Sequence, residues 1–227
     1  MAVTTPAPRV LADVLPRSIT RDVLLVIGGA AFVGIAAQIA IPLPFTPVPL
    51  TGQTFAVLLA GAALGSIRGI LSMLLYSVAG LVGVPWFAAG ASGFAMPSFG
   101  YILGFIVAAG LVGFLAERGW TRTVLDTALA MVLGNVIIYG VGVTWLKFSL
   151  ATSWASALEM GMTPFLLGDA LKIALAAGLF PLVWSQLVRR DLAPPRRKAK
   201  AAADSVDLTD GVTTSVAETN DEKSTTD

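Results

Sequence analysis

Long apolar stretches, each close to the length of a membrane-spanning helix, alternate along this chain with short polar or proline-rich joints. About 20 consecutive apolar residues are needed to cross a bilayer. Six such stretches are predicted as helices, at 22–41, 52–66, 69–84, 99–117, 124–147 and 164–188. The second and third are short and are joined by "GSIRG". The first, "VLLVIGGAAFVGIAAQIAI" at 23–41, follows Arg17 and Arg21 as a signal peptide would. It outruns the roughly 7–15 residues of a signal h-region and is followed by more of its kind, so it reads as a transmembrane helix. Between the first two helices, "IPLPFTPVPLTG" (41–52) cannot be helical, because proline lacks the N–H donor and clashes with the preceding turn. "VPWFAAGASGFAMPSFG" (84–100) and "SLATSWASALEMGMTP" (149–164) are the other long joints.

Composition makes the membrane reading firm. The 227 residues are 56% hydrophobic and only 13% charged, with a mean hydropathy of +0.80, whereas about a quarter of a soluble domain is charged. The expected fold is therefore an all-α integral membrane protein of six transmembrane helices. An N-terminus on the inside places Arg9, Arg17, Arg21, Arg68, Arg118, Arg122, Arg189, Arg190, Arg196, Arg197, Lys198, Lys200 and Lys223 on one side, 13 of the 15 basic residues. That bias predicts cytoplasmic N- and C-termini. The domain plan is a flexible cytoplasmic segment over 1–20, a membrane domain over 21–188, and a tail over 189–227. The tail begins basic, "RRDLAPPRRKAK", and becomes rich in Asp, Glu, Ser and Thr without an aromatic residue. It is expected to be disordered.

The chemistry that is missing narrows the function. The chain has no Cys and no His, which removes disulfides, imidazole or thiolate metal sites, Ser-His-Asp triads and Cys nucleophiles. No carboxylate cluster faces one pocket, and no G-x-x-x-x-G-K-[ST] is present. No catalytic residue, metal or cofactor is expected, so the chain reads as a non-enzyme, and any ATP hydrolysis belongs to another chain.

Two charges interrupt the last apolar stretch. Asp169 and Lys172 in "PFLLGDALKIALAAGLFP" are three apart and share a helix face. Each costs about 2.5–3.5 kcal/mol near a helix centre, and such residues mark function or a self-neutralising pair. Counting from Thr163 at about 1.5 Å per residue, Asp169 lies about 9 Å deep and Lys172 about 13 Å, both in the outer half. Gln53 and Thr54 open the second helix at the same face. Asn135 and Tyr139, spaced i,i+4, share a face with Gly142 and serve either as interhelical glue or as site residues. The uncharged 84–100 joint, with Trp86, Phe87, Phe94 and Phe99 among small residues, reads as an aromatic interfacial loop or as a lid over a cavity. Ala30 and Gly34 form a small-xxx-small pair that allows close docking, internally or with a partner.

"IPLPFTPVPLTGQTFAVLLAGAALGSIRG", "LLYSVAGLVGVPWFAAG", "GYILGF" and "PFLLGDALKIALAA", in that order, resemble the BioY-type biotin-binding component of energy-coupling-factor transporters, from about Arg21 to Val188. The resemblance implies six membrane helices in the bacterial cell membrane and capture of biotin from the outside. It implies work beside a transmembrane coupling subunit and two cytoplasmic ATPases. Nucleic acid is not an expected partner. Asp169 and Lys172 match the family's G-D-x-x-K segment, which implies ligand binding, either by each separately or after pairing with each other. Gln53 and Tyr101 match positions in "TGQT" and "GYILGF". Ala30 and Gly34 match the pair that contacts the coupling subunit. The family's Gly-Gly, polar residue, Gly-Gly loop is here "AAGASG" (88–93), so Ala91 stands at the polar position unless the register shifts and Ser92 serves. The competing reading is a self-sufficient secondary transporter using Asp169 as a proton relay, which often carries inverted repeats; no internal repeat is evident.

Overall fold

A computed structural model describes residues 9–16 and 18–192. The chain divides into two compact units, Met1–Leu182 and Val183–Asp227, and the architecture below is that of the first. The helices are α1 (Ile19–Gln38), α2 (Gln53–Leu64), α3 (Ser66–Leu81), α4 (Phe99–Glu117), α5 (Val124–Ser149), α6 (Trp154–Gly161) and α7 (Leu166–Leu192). Six of them, all but the eight-residue α6, coincide with the expected spans to within a few residues. The tail beyond Leu192 lies outside the described residues.

Three features depart from expectation. The proline-rich joint is an antiparallel hairpin, β1 (Ala40–Leu43) with β2 (Thr46–Thr51), pairing Ala40 with Thr51 and Leu43 with Thr46. Pro42, Pro47 and Pro49 are compatible with it because a two-stranded sheet has a free edge on each strand. The joint after α5 contains α6, whose Ser153 hydroxyl accepts the Ser156 N–H as an N-cap. The N-terminal segment is not loose over 10–14. It forms a 3-10 turn, Leu11–Val14, with Val10 and Ala12 buried in the core. Arg68, next to the α2–α3 junction, holds it by pairing with Asp13 (3.3 Å) and with Asp22 of α1 (3.0 Å).

α4 is apolar on every side and buried along most of its length, as a helix without a polar stripe must be. Its glycines let other backbones touch it. A Cβ on Gly113 would lie 2.4 Å from Gly65 C and Ser66 N, and one on Gly61 of α2 would lie 2.7 Å from Ala109 O. The α2–α3 junction therefore sits directly on α4. It is fixed there by Glu117, whose carboxylate accepts the Ser66 N–H (2.7 Å) and Ser66 hydroxyl (2.8 Å). α2 is enclosed by its neighbours, while α3 turns Ile67, Leu71, Leu74, Leu75, Val78 and Leu81 outward.

Candidate functional site

At the hairpin end of the bundle a cavity is walled by β2, the first turn of α2, the joint after α3, α4, α5 and the start of α7. It is narrow, about 50 Å³, room for a few waters. Tyr101, Ile102, Phe105 and Phe165 make it largely apolar, and Gln53, Thr54, Ser98, Tyr139, Asp169 and Lys172 bring polar groups to it.

The two intramembrane charges form a pair, Lys172 Nζ to Asp169 Oδ1 at 3.0 Å. The ammonium also donates to Thr54 Oγ1 at 2.9 Å and to the Thr51 carbonyl at 3.1 Å. An ammonium has three N–H donors, and all three are engaged. Asp169 is 4% exposed. Its Oδ1 accepts from Lys172 and its Oδ2 from the Tyr139 hydroxyl. A carboxylate offers about four acceptor positions, so two partners leave it with acceptor capacity that Lys172 no longer has as a donor.

The remaining expected residues take different places. Gln53 lines the cavity with each end of its amide engaged once and with capacity to spare: Nε2 donates to the Tyr76 hydroxyl at 2.5 Å and Oε1 accepts from Thr51 at 3.2 Å. Tyr101 presents its ring, which lies on Gly142, where a Cβ would fall 2.4 Å from it. Its hydroxyl donates to Gly161 O at 2.7 Å. Asn135 lies outside the cavity. It borders a pinhole of about 10 Å³ behind Lys172 and Thr54, and its Oδ1 is buried without a hydrogen-bond partner. Ser92 is exposed and away from the cavity wall; Ser98, six residues on, lines it instead. Ala30 and Gly34 do not form an outward docking surface. Ala30 is 1% exposed, and a Cβ on Gly34 would lie 3.0 Å from Trp86 Cε3. The absence of a side chain at Gly34 seats Trp86 of this chain's own joint.

That joint is anchored at several points. Trp86 Nε1 donates to Tyr76 O at 2.9 Å, and Gln38 Nε2 donates to the carbonyls of Trp86 (3.2 Å) and Phe87 (3.4 Å). Phe87 is fully buried against Gly80, where a Cβ would fall 2.0 Å from its ring. Ala89 has φ 56° and Gly90 φ 77°, two successive left-handed residues at the place where the resemblance expects a glycine pair. The hairpin is tied as well, since the Thr46 hydroxyl donates to Met160 O of α6 at 2.8 Å. Thr51, Thr54 and Tyr139 complete the polar set. Thr54 and Tyr139 were visible in sequence only as polar residues on apolar helices. Thr51 acts through its backbone carbonyl, which no side-chain pattern announces.

Among the described residues no three carboxylates gather as a metal site would require. The arrangement is a narrow cavity with a largely buried ion pair in its wall, beneath an anchored roof.

Comparison with known proteins follows the same line. The sequence profile of the BioY family matches residues 6–189. The biotin transporter BioY of Rhizobium etli is 34% identical over 169 residues, covering 70% of this chain and 90% of its own. That of Thermotoga maritima is 36% identical over 150 residues, covering 65% and 86%. A crystal structure of the S-component for biotin from an ECF-type ABC transporter superposes with a TM-score of 0.66 at 24% identity, over 75% of this chain and 95% of that one. The fold is shared with it.

Proposed function

The chain belongs to the BioY family, and from that premise we propose that it is the biotin-capturing membrane subunit of an energy-coupling-factor transporter, a binding component and not an enzyme. Its cavity opens to the outside and its termini face the cytoplasm, in keeping with the Lys and Arg bias. Transport draws on a separate coupling subunit and two ATPases, since the sequence has no phosphate-binding loop.

The observation that carries the reading is the state of the ion pair. Lys172 has every donor engaged, and Asp169 retains acceptor capacity at the cavity wall. Biotin has a ureido group with N–H donors, an apolar bicycle, and a carboxylate on a flexible chain. The ureido edge enters first and donates an N–H to Asp169. The bicycle meets Tyr101, Ile102 and Phe105. The carboxylate stays towards the mouth, where water solvates it, because burying a second anion beside Asp169 would lack a free cation. Lys172 is then a support for Asp169, and Gln53 a support for the roof through Tyr76.

Titration of purified, ligand-free protein with radiolabelled biotin tests this. Saturable submicromolar binding is expected, with Asp169→Asn and Lys172→Ala each weakening it more than tenfold. Folded protein without saturable binding would overturn the reading. Biotin uptake by liposomes holding this chain alone, abolished by collapsing the proton gradient, would replace it with a secondary transporter.

A further inference from the structure

We propose that Tyr139 is a positioning residue for recognition: its hydroxyl turns the Asp169 carboxylate towards the ligand cavity and so sets the preference for an N–H donor. This rests on the reading above that Asp169 is the ligand's acceptor.

Asp169 stands between two spaces. One is the ligand cavity. The other is a crevice of about 490 Å³ bounded by α5, α6 and the start of α7, which Asp169 and Tyr139 also border. Apart from Asn135 and Thr144 its lining is otherwise apolar, with Val136, Val143, Leu158 and Leu166. The carboxylate therefore has room on either side, and something must fix its direction. Lys172, itself held by Thr51 and Thr54, fixes only Oδ1 and leaves the position of Oδ2 open. Tyr139 is on α5, and its O–H holds that second oxygen directly from another helix.

Tyr139 is itself held. Its ring meets Tyr101 edge to face, with centroids 6.5 Å apart and planes at 89°. Tyr101 is pinned between Gly142 and the Gly161 carbonyl. The direction of the acceptor is thus referred to α4, α5 and the end of α6, the same end that receives the Thr46 hydroxyl of the hairpin. Phenylalanine at 139 would keep the ring contacts and lose only the tie. Charged and titratable groups lining the cavity with Asp169 among the described residues are Lys172 from α7, Tyr139 from α5 and Tyr101 from α4; α2 and the hairpin offer the uncharged Gln53, Thr54 and Thr51.

The test compares wild type and Tyr139→Phe in equilibrium binding of biotin and of the two N-methylbiotin isomers, methylated at one or the other ureido nitrogen. Wild type should reject one isomer by at least 100-fold. Tyr139→Phe should bind biotin about tenfold more weakly while still unfolding in one cooperative transition, and its discrimination between biotin and that isomer should fall at least tenfold. In an Asp169→Asn background, read to millimolar biotin, adding Tyr139→Phe should change affinity less than twofold. Equal weakening of biotin and both isomers, additive losses in the double variant, or unchanged biotin affinity would each overturn the proposal while leaving biotin capture standing. Wild type that fails to bind biotin would overturn the functional reading instead, and this one with it.

Discussion

Lys172→Met is the substitution with the most calculable outcome. Methionine keeps the length of the stem and removes the ammonium. Three acceptors then lose a donor at once: Asp169 Oδ1, Thr54 Oγ1 and the Thr51 carbonyl. The carboxylate is the most costly of these, since its side chain is 5% exposed. Stranding one member of a buried pair costs about 3–5 kcal/mol. At about 2–4 °C per kcal/mol for a chain of this size, the melting temperature should fall by roughly 6–20 °C. The reverse variant, Asp169→Asn, should be milder, about 1–3 kcal/mol. The lysine side chain is 20% exposed and keeps its two threonine partners. The double variant carries no buried charge at this site and should recover at least half of the loss of Lys172→Met without recovering biotin binding. Thermal unfolding in detergent, followed by tryptophan fluorescence, measures all three. A Lys172→Met protein within about 2 °C of the parent, or a double variant as unstable as Lys172→Met, would refute the account of the pair as mutually dependent.

Three further outcomes are expected. Ala89→Gly should raise stability by about 0.5–1 kcal/mol in the same unfolding assay, because an L-residue at φ 56° is strained and glycine is not. Gly113→Ala should lower it by about 1–3 kcal/mol, since the new Cβ meets backbone atoms of Gly65 and Ser66 that have little room to yield; an unchanged midpoint would mean that α4 and the α2–α3 junction separate easily. Asn135→Leu removes a buried oxygen that has no partner, so stability should stay within about 1 kcal/mol and biotin affinity within threefold. A tenfold loss of affinity would return Asn135 to the binding site.

Much of this was readable from residue order, for physical reasons that differ by element. The spans are set by hydropathy alone, and α4 and α5 start where the apolar runs start. The hairpin was readable only as non-helical, because prolines forbid a helix without naming what replaces it. α6 hid in a joint with few charges, its cap supplied by Ser153, one of several serines in that stretch. At the site, Asp169 and Lys172 stood out because a charge in an apolar helix is rare. Which acceptors Lys172 reaches depends on how the hairpin folds back, since one of them is a main-chain carbonyl. Ala30 and Gly34 illustrate the opposite limit. Small-xxx-small spacing says that something packs closely, and only the fold says that at Gly34 it is the chain's own Trp86.

The lengths of α2 and α3 have a consequence for the surrounding lipid. At 1.5 Å per residue, the 12 residues of α2 make a rod of about 18 Å and the 16 of α3 one of about 24 Å. A hydrocarbon core is about 30 Å thick. The deficit of α2 is of no account to the bilayer, because protein surrounds that helix. α3 faces outward, so along its side the acyl chains meet an apolar wall about 6 Å too low and must compress to match it, at a fraction of a kcal/mol for each ångström. The protein therefore wears an uneven collar of lipid, thinned on the α3 flank and near full height beside α5. Reconstitution into bilayers of shorter acyl chains would relax that flank first.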